Sequence, residues 1–161
     1  DSLVVLSFGN RVAADGTTTA GPTNEALADA VQAHVAQQPV PVYAQWEVAE
    51  LLQARGVPNV VSIEPEAGAD GTTTYLSTSG VTDQIVQRAE ADGVDLGTVG
   101  VVAFSDHIVR AVQTAERSGM DAVVVEGIDL PTEYDTESGQ EWTRDRVTYV
   151  TVDLSGRIAA L

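Results

Sequence analysis

The stretch Ser105-Asp106-His107-Ile108-Val109-Arg110-Ala111 holds the residues of this chain best suited to chemistry. An imidazole can give or take a proton near neutral pH, and a guanidinium holds planar anions. Three-residue spacing puts His107 and Arg110 side by side at the start of a helix. Unpaired amides and the positive dipole end attract anions there. These two are the candidate catalytic residues, His107 as acid/base and Arg110 neutralising charge. A second group, Gly9-Asn10-Arg11, follows the opening apolar run. Gly9 would let the backbone approach a ligand closely, and Arg11 would contact an anion. Glu47 and Glu64 each lie just beyond an apolar run, a suitable place for a base or a ribose contact. With 24 acidic residues in the chain, ordinary surface charge is the favoured reading of each taken alone. Trp142 with Arg144, in the long segment 127–146, could close over a site, or Trp142 could simply pack.

These residues need a frame to bring them together. Leu3 to Phe8 reads as a buried strand broken by Gly9-Asn10, and a polar loop follows to Pro22. Ala26 to Gln37 reads as a helix with Leu27, Val31 and Val35 inward, Thr23 as its N-cap and His34 at its boundary. Val40 to Ala44 is the second strand, Trp46 to Arg55 a second helix stopped by Gly56 and Pro58, and Val60 to Ile63 a third strand. A helix ending at Asp92-Gly93 comes next, then the strand Val99 to Phe104. Its Ser105-Asp106 cap signal opens the helix carrying Ala111 and Ala115. Ala122 to Val125 is the fifth strand. Such alternation predicts an α/β fold, a mostly parallel five-stranded sheet with helices on both faces, in one domain over residues 1–161. In the order 3-2-1-4-5, strands one and four flank the switch point, and Gly9-Asn10-Arg11 would face His107 there.

The tail is double-edged. Val147 to Val152 is rich in β-branched residues, yet Val147, Val150, Leu154, Ile158 and Leu161 fit a helix face. Ser138 with Glu141 fits a capping box, and helix is the reading adopted. Ala14-Asp15-Gly16-Thr17-Thr18-Thr19 recurs as residues 69–74, each copy in a loop after a strand. Asp-Gly is ordinary turn chemistry and no longer period surrounds it.

Composition narrows the classes. A net charge of −16 argues against nucleic acid as partner, because phosphates are repelled. All 8 basic residues are Arg, a balance usual in salt-adapted or very GC-rich organisms. No apolar run reaches membrane-span length. With no Cys and 2 His, neither disulfides nor a zinc site is expected. G-x-G-x-x-G, P-loop and G-x-S-x-G motifs do not occur, which removes the nicotinamide, P-loop and α/β-hydrolase readings. Ser7 ends the first strand, and the sequence assigns it no base.

The ordered features resemble the YdcF-like domain family, shared by the envelope proteins SanA and ElyC. They are a strand followed by Gly9-Asn10, a helix ending Gly56-Val57-Pro58, and Glu64 before the Thr-rich loop 72–74. The strand–Ser105-Asp106-His107-x-x-Arg110-Ala111 step and then Trp142 and Arg144 complete the set. The likeness covers nearly the whole chain, and its most specific piece is His-x-x-Arg-Ala. It implies a Rossmann-like three-layer fold with a ligand crevice above the strand ends. It also adds Thr73, Ser105, Asp106 and Arg144 to the ligand contacts. The family's biochemical activity is poorly defined; its members are linked to the bacterial envelope and peptidoglycan precursors. A nucleotide-like ligand has been suggested for one branch. The resemblance thus implies a bacterial, envelope-associated protein, and a chain opening at Asp1 reads as a trimmed start. Two departures stand out. Where the family carries Ser-Gly-Gly after strand two, this chain reads Ala44-Gln45-Trp46-Glu47. Where it carries Asn-Thr-x-Glu-Asn after strand three, this chain reads Thr72-Thr73-Thr74-Tyr75-Leu76.

The expected function is therefore binding of a small anionic or nucleotide-like ligand at the carboxyl ends of the strands. The alternatives are a non-catalytic envelope module and a phosphate-ester or pyrophosphate hydrolase or transferase. The sequence names no cofactor.

Overall fold

The computed structural model describes residues 1–67 and 73–159, of which 67, 73, 74 and 156–159 are described as backbone only. One five-stranded sheet organises it: β1 (Ser2–Val5), β4 (Val42–Gln45), β5 (Val60–Ile63), β8 (Thr98–Val102) and β9 (Asp121–Val124). Their order is β5-β4-β1-β8-β9 and every pair is parallel. Counted along the sheet strands alone this is 3-2-1-4-5, the Rossmann-like arrangement that the alternating pattern predicts. Helices α1 (Pro22–Gln37), α2 (Trp46–Ala54), α3 (Thr78–Asp92) and α4 (Ile108–Arg117) provide the crossovers.

β1 is central because its run is apolar on both sides, and all four of its residues are buried. Leu3 and Val5 pack with Leu27, Val31, Val48 and Leu52 of α1 and α2. Val4 and Leu6 point the other way, into Ile85, Val101 and Ala111. Gly100 in β8 leaves room for the incoming Val125; a Cβ there would lie 2.4 Å from the Val125 Cγ2. Among the described residues no helix is long and apolar enough to cross a membrane.

Two small antiparallel hairpins stand apart from the sheet. β2 (Arg11–Val12) pairs with β3 (Thr18–Thr19), and β6 (Glu66–Ala67) pairs with β7 (Thr73–Thr74). The two copies of the Ala-Asp-Gly-Thr-Thr-Thr echo therefore end alike, each in the return strand of a hairpin. Residues 69–72 of the second copy lie outside the described residues. Thr18 Oγ1 and the Tyr75 hydroxyl, 3.3 Å apart, link the hairpins.

Several element ends differ from expectation. β1 pairs only to Val5, although the Leu6 amide still donates to Val102 at 3.0 Å. Beyond it the buried Asn24 side chain accepts from the Phe8 amide at 2.8 Å and donates to the Gly9 carbonyl at 2.8 Å, turning the chain off the sheet. Thr23 does not cap α1. That helix starts at Pro22 behind Gly21, and the Thr23 hydroxyl donates to the Glu133 carbonyl at 3.3 Å. Ser105-Asp106 does not cap α4 either: residues 105–107 form a turn, with His107 in the N-cap place. The tail is helical as adopted, in α5 (Arg146–Ala159) after a 3-10 turn η1 (Glu141–Thr143). The Ser138–Glu141 box is not its start. Asp145 accepts from the Thr148 amide at 2.9 Å instead, and Ser138 is buried against Asn10 and Thr143.

Candidate functional site

Two loops leave the sheet at the carboxyl ends of neighbouring strands, residues 6–10 after β1 and 103–107 after β8. Between them lies a cleft of about 590 Å³. Gly9, Asn10, His107 and Arg110 all line it, so the two clusters singled out by sequence do meet there. Its remaining walls come from the start of α3 (Ser77, Thr78), from η1 (Trp142, Thr143) and from α5 (Tyr149, Val152). Such a crevice at the strand-order switch is where open parallel sheets take their ligands.

The floor is aromatic. Phe8, three residues past β1, and Phe104, two residues past β8, stack with centroids 4.0 Å apart. Tyr149 and Tyr134 meet Phe8 edge-on at 4.8 and 5.7 Å, so α5 and the 127–146 segment are pinned to the strand ends. His107 is 4% exposed, its ring 6.2 Å from and nearly perpendicular to that of Tyr149.

Gly9 has φ +71°, and a Cβ on it would lie 2.6 Å from the Ser138 Oγ and 2.7 Å from the Thr143 Oγ1. Only glycine suits both that backbone and that approach. The Asn10 carbonyl accepts from the Gly139 amide at 2.7 Å, which stitches the 127–146 segment onto the β1 loop.

Arg110 crosses from α4 to α5. Its Nε donates to the buried Asp153 carboxylate, Nη1 to the Thr78 hydroxyl at 3.2 Å and Nη2 to the Tyr149 hydroxyl at 3.4 Å. Burial works against its charge, but Tyr149 and Asp153 outweigh that and raise its pKa. Burial also pushes the Tyr149 hydroxyl up to about 12, against the pull of Arg110.

The remaining arginines near the strand ends are engaged as well. Arg11 shares the sheet end with His107 but does not line the cleft: it grips Asp135 at 2.8 and 2.9 Å and Glu137 at 2.9 Å. The Arg11 hydrogen bond holds the Asp135 carboxyl below its usual range. Arg144 donates to the Ser138 carbonyl at 2.6 Å, lies 3.8 Å from Glu141, and is off the cleft wall too. Asp106 accepts from the Tyr134 hydroxyl at 2.8 Å and from Arg146 at 3.0 Å, and the Ser105 amide donates to the Pro131 carbonyl at 3.0 Å. Both anchor the long segment. Each arginine at this end is therefore already matched by an acidic side chain.

Glu47 and Glu64 do not line the cleft. Glu64 is exposed beyond β5. Glu47, in the first turn of α2, is 1% exposed, and neither of its carboxylate oxygens completes a hydrogen bond with the described residues. Burial pushes its pKa up to about 7; its own amide and the approaching Ser7 hydroxyl pull the other way, and Glu50 and Glu64 add repulsion. The Thr73 backbone lies in β7, and its side chain is outside the described set.

The structure adds residues that sequence reasoning passed over, Gln45, Asn24, Thr78 and Tyr149, and it puts Ser7, which the sequence left without a base, on the cleft wall. For Asn24 a signal existed. It stands three and four residues before Leu27 and Ala28, a polar side chain on the buried stripe of α1. Tyr149 and Thr78 carried no such mark. Among the described residues no group of three or more His, Asp or Glu could hold a metal ion. Compared with protein-family models, with curated proteins and with solved structures, the chain matches none.

Proposed function

We propose that this protein binds a small nucleotide-like ligand in the cleft between the β1 and β8 loops. The observation that carries the reading is the make-up of the walls. His107 and Arg110 stand on one side, Gly9 and Asn10 on another, and two half-exposed aromatic rings, Trp142 and Tyr75, complete the enclosure. A flat base stacks on such rings, while Arg110 and His107 suit one anionic group at the other end. A free multiply charged anion fits less well, since Arg110 already carries Asp153 and the chain bears a charge of −16.

The same reading takes the protein as a YdcF-like domain. What supports it is the His107-x-x-Arg110-Ala111 step, with both named side chains on the cleft wall. An envelope setting rests on that resemblance alone.

Thermal melting with nucleoside monophosphates, nucleosides, sugar phosphates and inorganic phosphate tests the proposal. Nucleotides should raise the melting temperature, and Arg110→Gln should sharply reduce the rise. Melting unaffected by every compound would overturn it.

A further inference from the structure

We propose that Ser7 is a nucleophile for phosphate-ester cleavage in this cleft and that Glu47 is the base behind it. The inference rests on the cleft being the ligand site. It supplies what sequence alone withheld, an activated hydroxyl among residues already suited to phosphate chemistry.

The geometry begins with the pleat of β1. Leu3 and Val5 face α1 and α2, whereas Val4 and Leu6 face the opposite layer. Ser7 lies two residues past β1, where the chain leaves the sheet, and its hydroxyl approaches Glu47 in the first turn of α2. The Ser7 amide donates at 3.2 Å to the Oε1 of Gln45, two residues before Glu47 at the end of β4, which fixes Ser7 just beyond β1. Ser7 lines the cleft while Glu47 does not. The hydroxyl thus stands between the cavity and a carboxyl that is 1% exposed.

That carboxyl is buried and poorly satisfied. Neither oxygen completes a hydrogen bond with the described residues, and the approaching side-chain donor is the Ser7 hydroxyl. A buried carboxyl left so poorly satisfied is costly, and its usual explanation is a task. The groups facing it are Glu50 on its own helix, Glu64 beyond β5 and Ser7. Arg11, Glu25 and Glu50 line the adjoining pocket that Glu47 also borders. Arg11 is taken up by Asp135 and Glu137, so it does not compensate Glu47. The carboxyl is consequently a good proton acceptor near neutral pH, as a base for serine must be. The amino end of α2 works the other way, its positive dipole favouring the charged carboxylate, but burial outweighs it.

The reaction balances with water as the second reactant. The Ser7 Oγ attacks phosphorus and its proton passes to the Glu47 carboxylate, while the phosphorus–oxygen bond to the leaving alcohol breaks. The departing oxygen keeps the electron pair and takes a proton from protonated His107. Water then attacks the phosphoserine and gives its proton to His107. The Oγ–phosphorus bond breaks, and Glu47 returns its proton to Ser7. Arg110 balances charge on the phosphoryl oxygens throughout.

The test uses the whole chain with p-nitrophenyl phosphate and nucleoside monophosphates, read by turnover, by acid-quenched mass spectrometry and by nucleotide-induced melting shift. Turnover should appear, with phosphate trapped on the Ser7 peptide. Ser7→Ala should abolish turnover and the adduct but keep the melting shift. Glu47→Gln should lower kcat about a hundredfold and remove the acidic limb of its pH profile, and Glu47→Asp should recover part. His107→Ala should let the adduct accumulate. A nucleotide shift without turnover, or turnover intact in Ser7→Ala, overturns this inference and leaves the binding reading standing. Neither shift nor turnover overturns both.

Discussion

Arg110 on α4 donates its Nε to Asp153 on α5, an ion pair that, with the Arg110–Tyr149 hydrogen bond, ties the cleft's cationic group to the last helix. Asp153 is 3% exposed, so the charge it meets is its main compensation for burial. Asp153→Ala strands a largely buried guanidinium and also removes the Tyr149 hydroxyl's 3.3 Å contact. The expected cost is about 2–4 kcal/mol in a urea titration. Asp153→Asn, which keeps the shape and an acceptor oxygen, should cost less than half of that. Equal stability of both variants and the parent would show that the pair does not hold α5.

Glu47 gives a dependence on pH whose sign is fixed by its surroundings. Its folded pKa, about 7, lies above the ordinary 4.5. Between those values the folded chain keeps a proton that the unfolded chain has released, so stability falls as pH rises through this window. The full effect is about 3 kcal/mol, present below pH 4.5 and lost above 7. Glu47→Gln cannot ionise, so it should flatten this part of the curve and exceed the parent in stability at pH 8. Chemical denaturation at intervals from pH 4.5 to 8 measures both. A parent curve without this fall would contradict the burial argument.

Gly9 lies where the β1 loop packs against the 127–146 segment. Gly9→Ala places a Cβ 2.6 Å from the Ser138 Oγ on a backbone at φ +71°, so both strain and a clash result. A loss of about 1–3 kcal/mol is expected by thermal or urea denaturation. Weaker nucleotide binding should accompany it, because Ser138 and Thr143 must shift and Thr143 lines the cleft. Gly56→Ala makes a useful comparison: its φ is +75° but nothing lies within 4 Å. It should cost less and leave binding alone.

How far the sequence reached can be read from individual residues. β1, β4 and β8 are runs whose periodicity and stop signals are local, so their order and the meeting of Gly9 with His107 followed from pattern and topology. Arg11 did not, because its partners Asp135 and Glu137 lie more than a hundred residues away and no local spacing announces them. Glu47 was legible as a residue past a strand end, but its burial and its approach to Ser7, forty residues earlier, are set by tertiary packing. The cap at Ser105-Asp106 failed for a similar reason. Asp106 is drawn instead to Tyr134 and Arg146, contacts that cross the fold. Pair partners far apart in sequence are what pattern reading misses.

Arg11 and Arg110 give opposite forecasts despite similar chemistry. Arg11→Gln removes a side chain bound to Asp135 and Glu137 outside the cleft, so nucleotide affinity should stay within about twofold by calorimetry. Arg110→Gln removes the guanidinium on the cleft wall, and affinity should fall by about tenfold or more. The reverse ranking would place the anion contact at the β2–β3 hairpin instead.

Trp142 separates a stacking wall from a packing residue. It is 47% exposed on η1 while lining the cleft, so little core depends on it. If a base stacks there, Trp142→Ala should weaken nucleotide binding by about tenfold, in keeping with the 1–3 kcal/mol that aromatic stacking contributes per base. Melting without ligand should move by no more than a few degrees. Trp142→Phe should recover most of the affinity, since the ring face matters more than the indole N–H. The parent's indole fluorescence should also respond to nucleotide, whereas inorganic phosphate should leave it unchanged. Affinity for nucleoside monophosphates undiminished in Trp142→Ala would remove the base from this wall and leave Arg110 and His107 holding the phosphate alone.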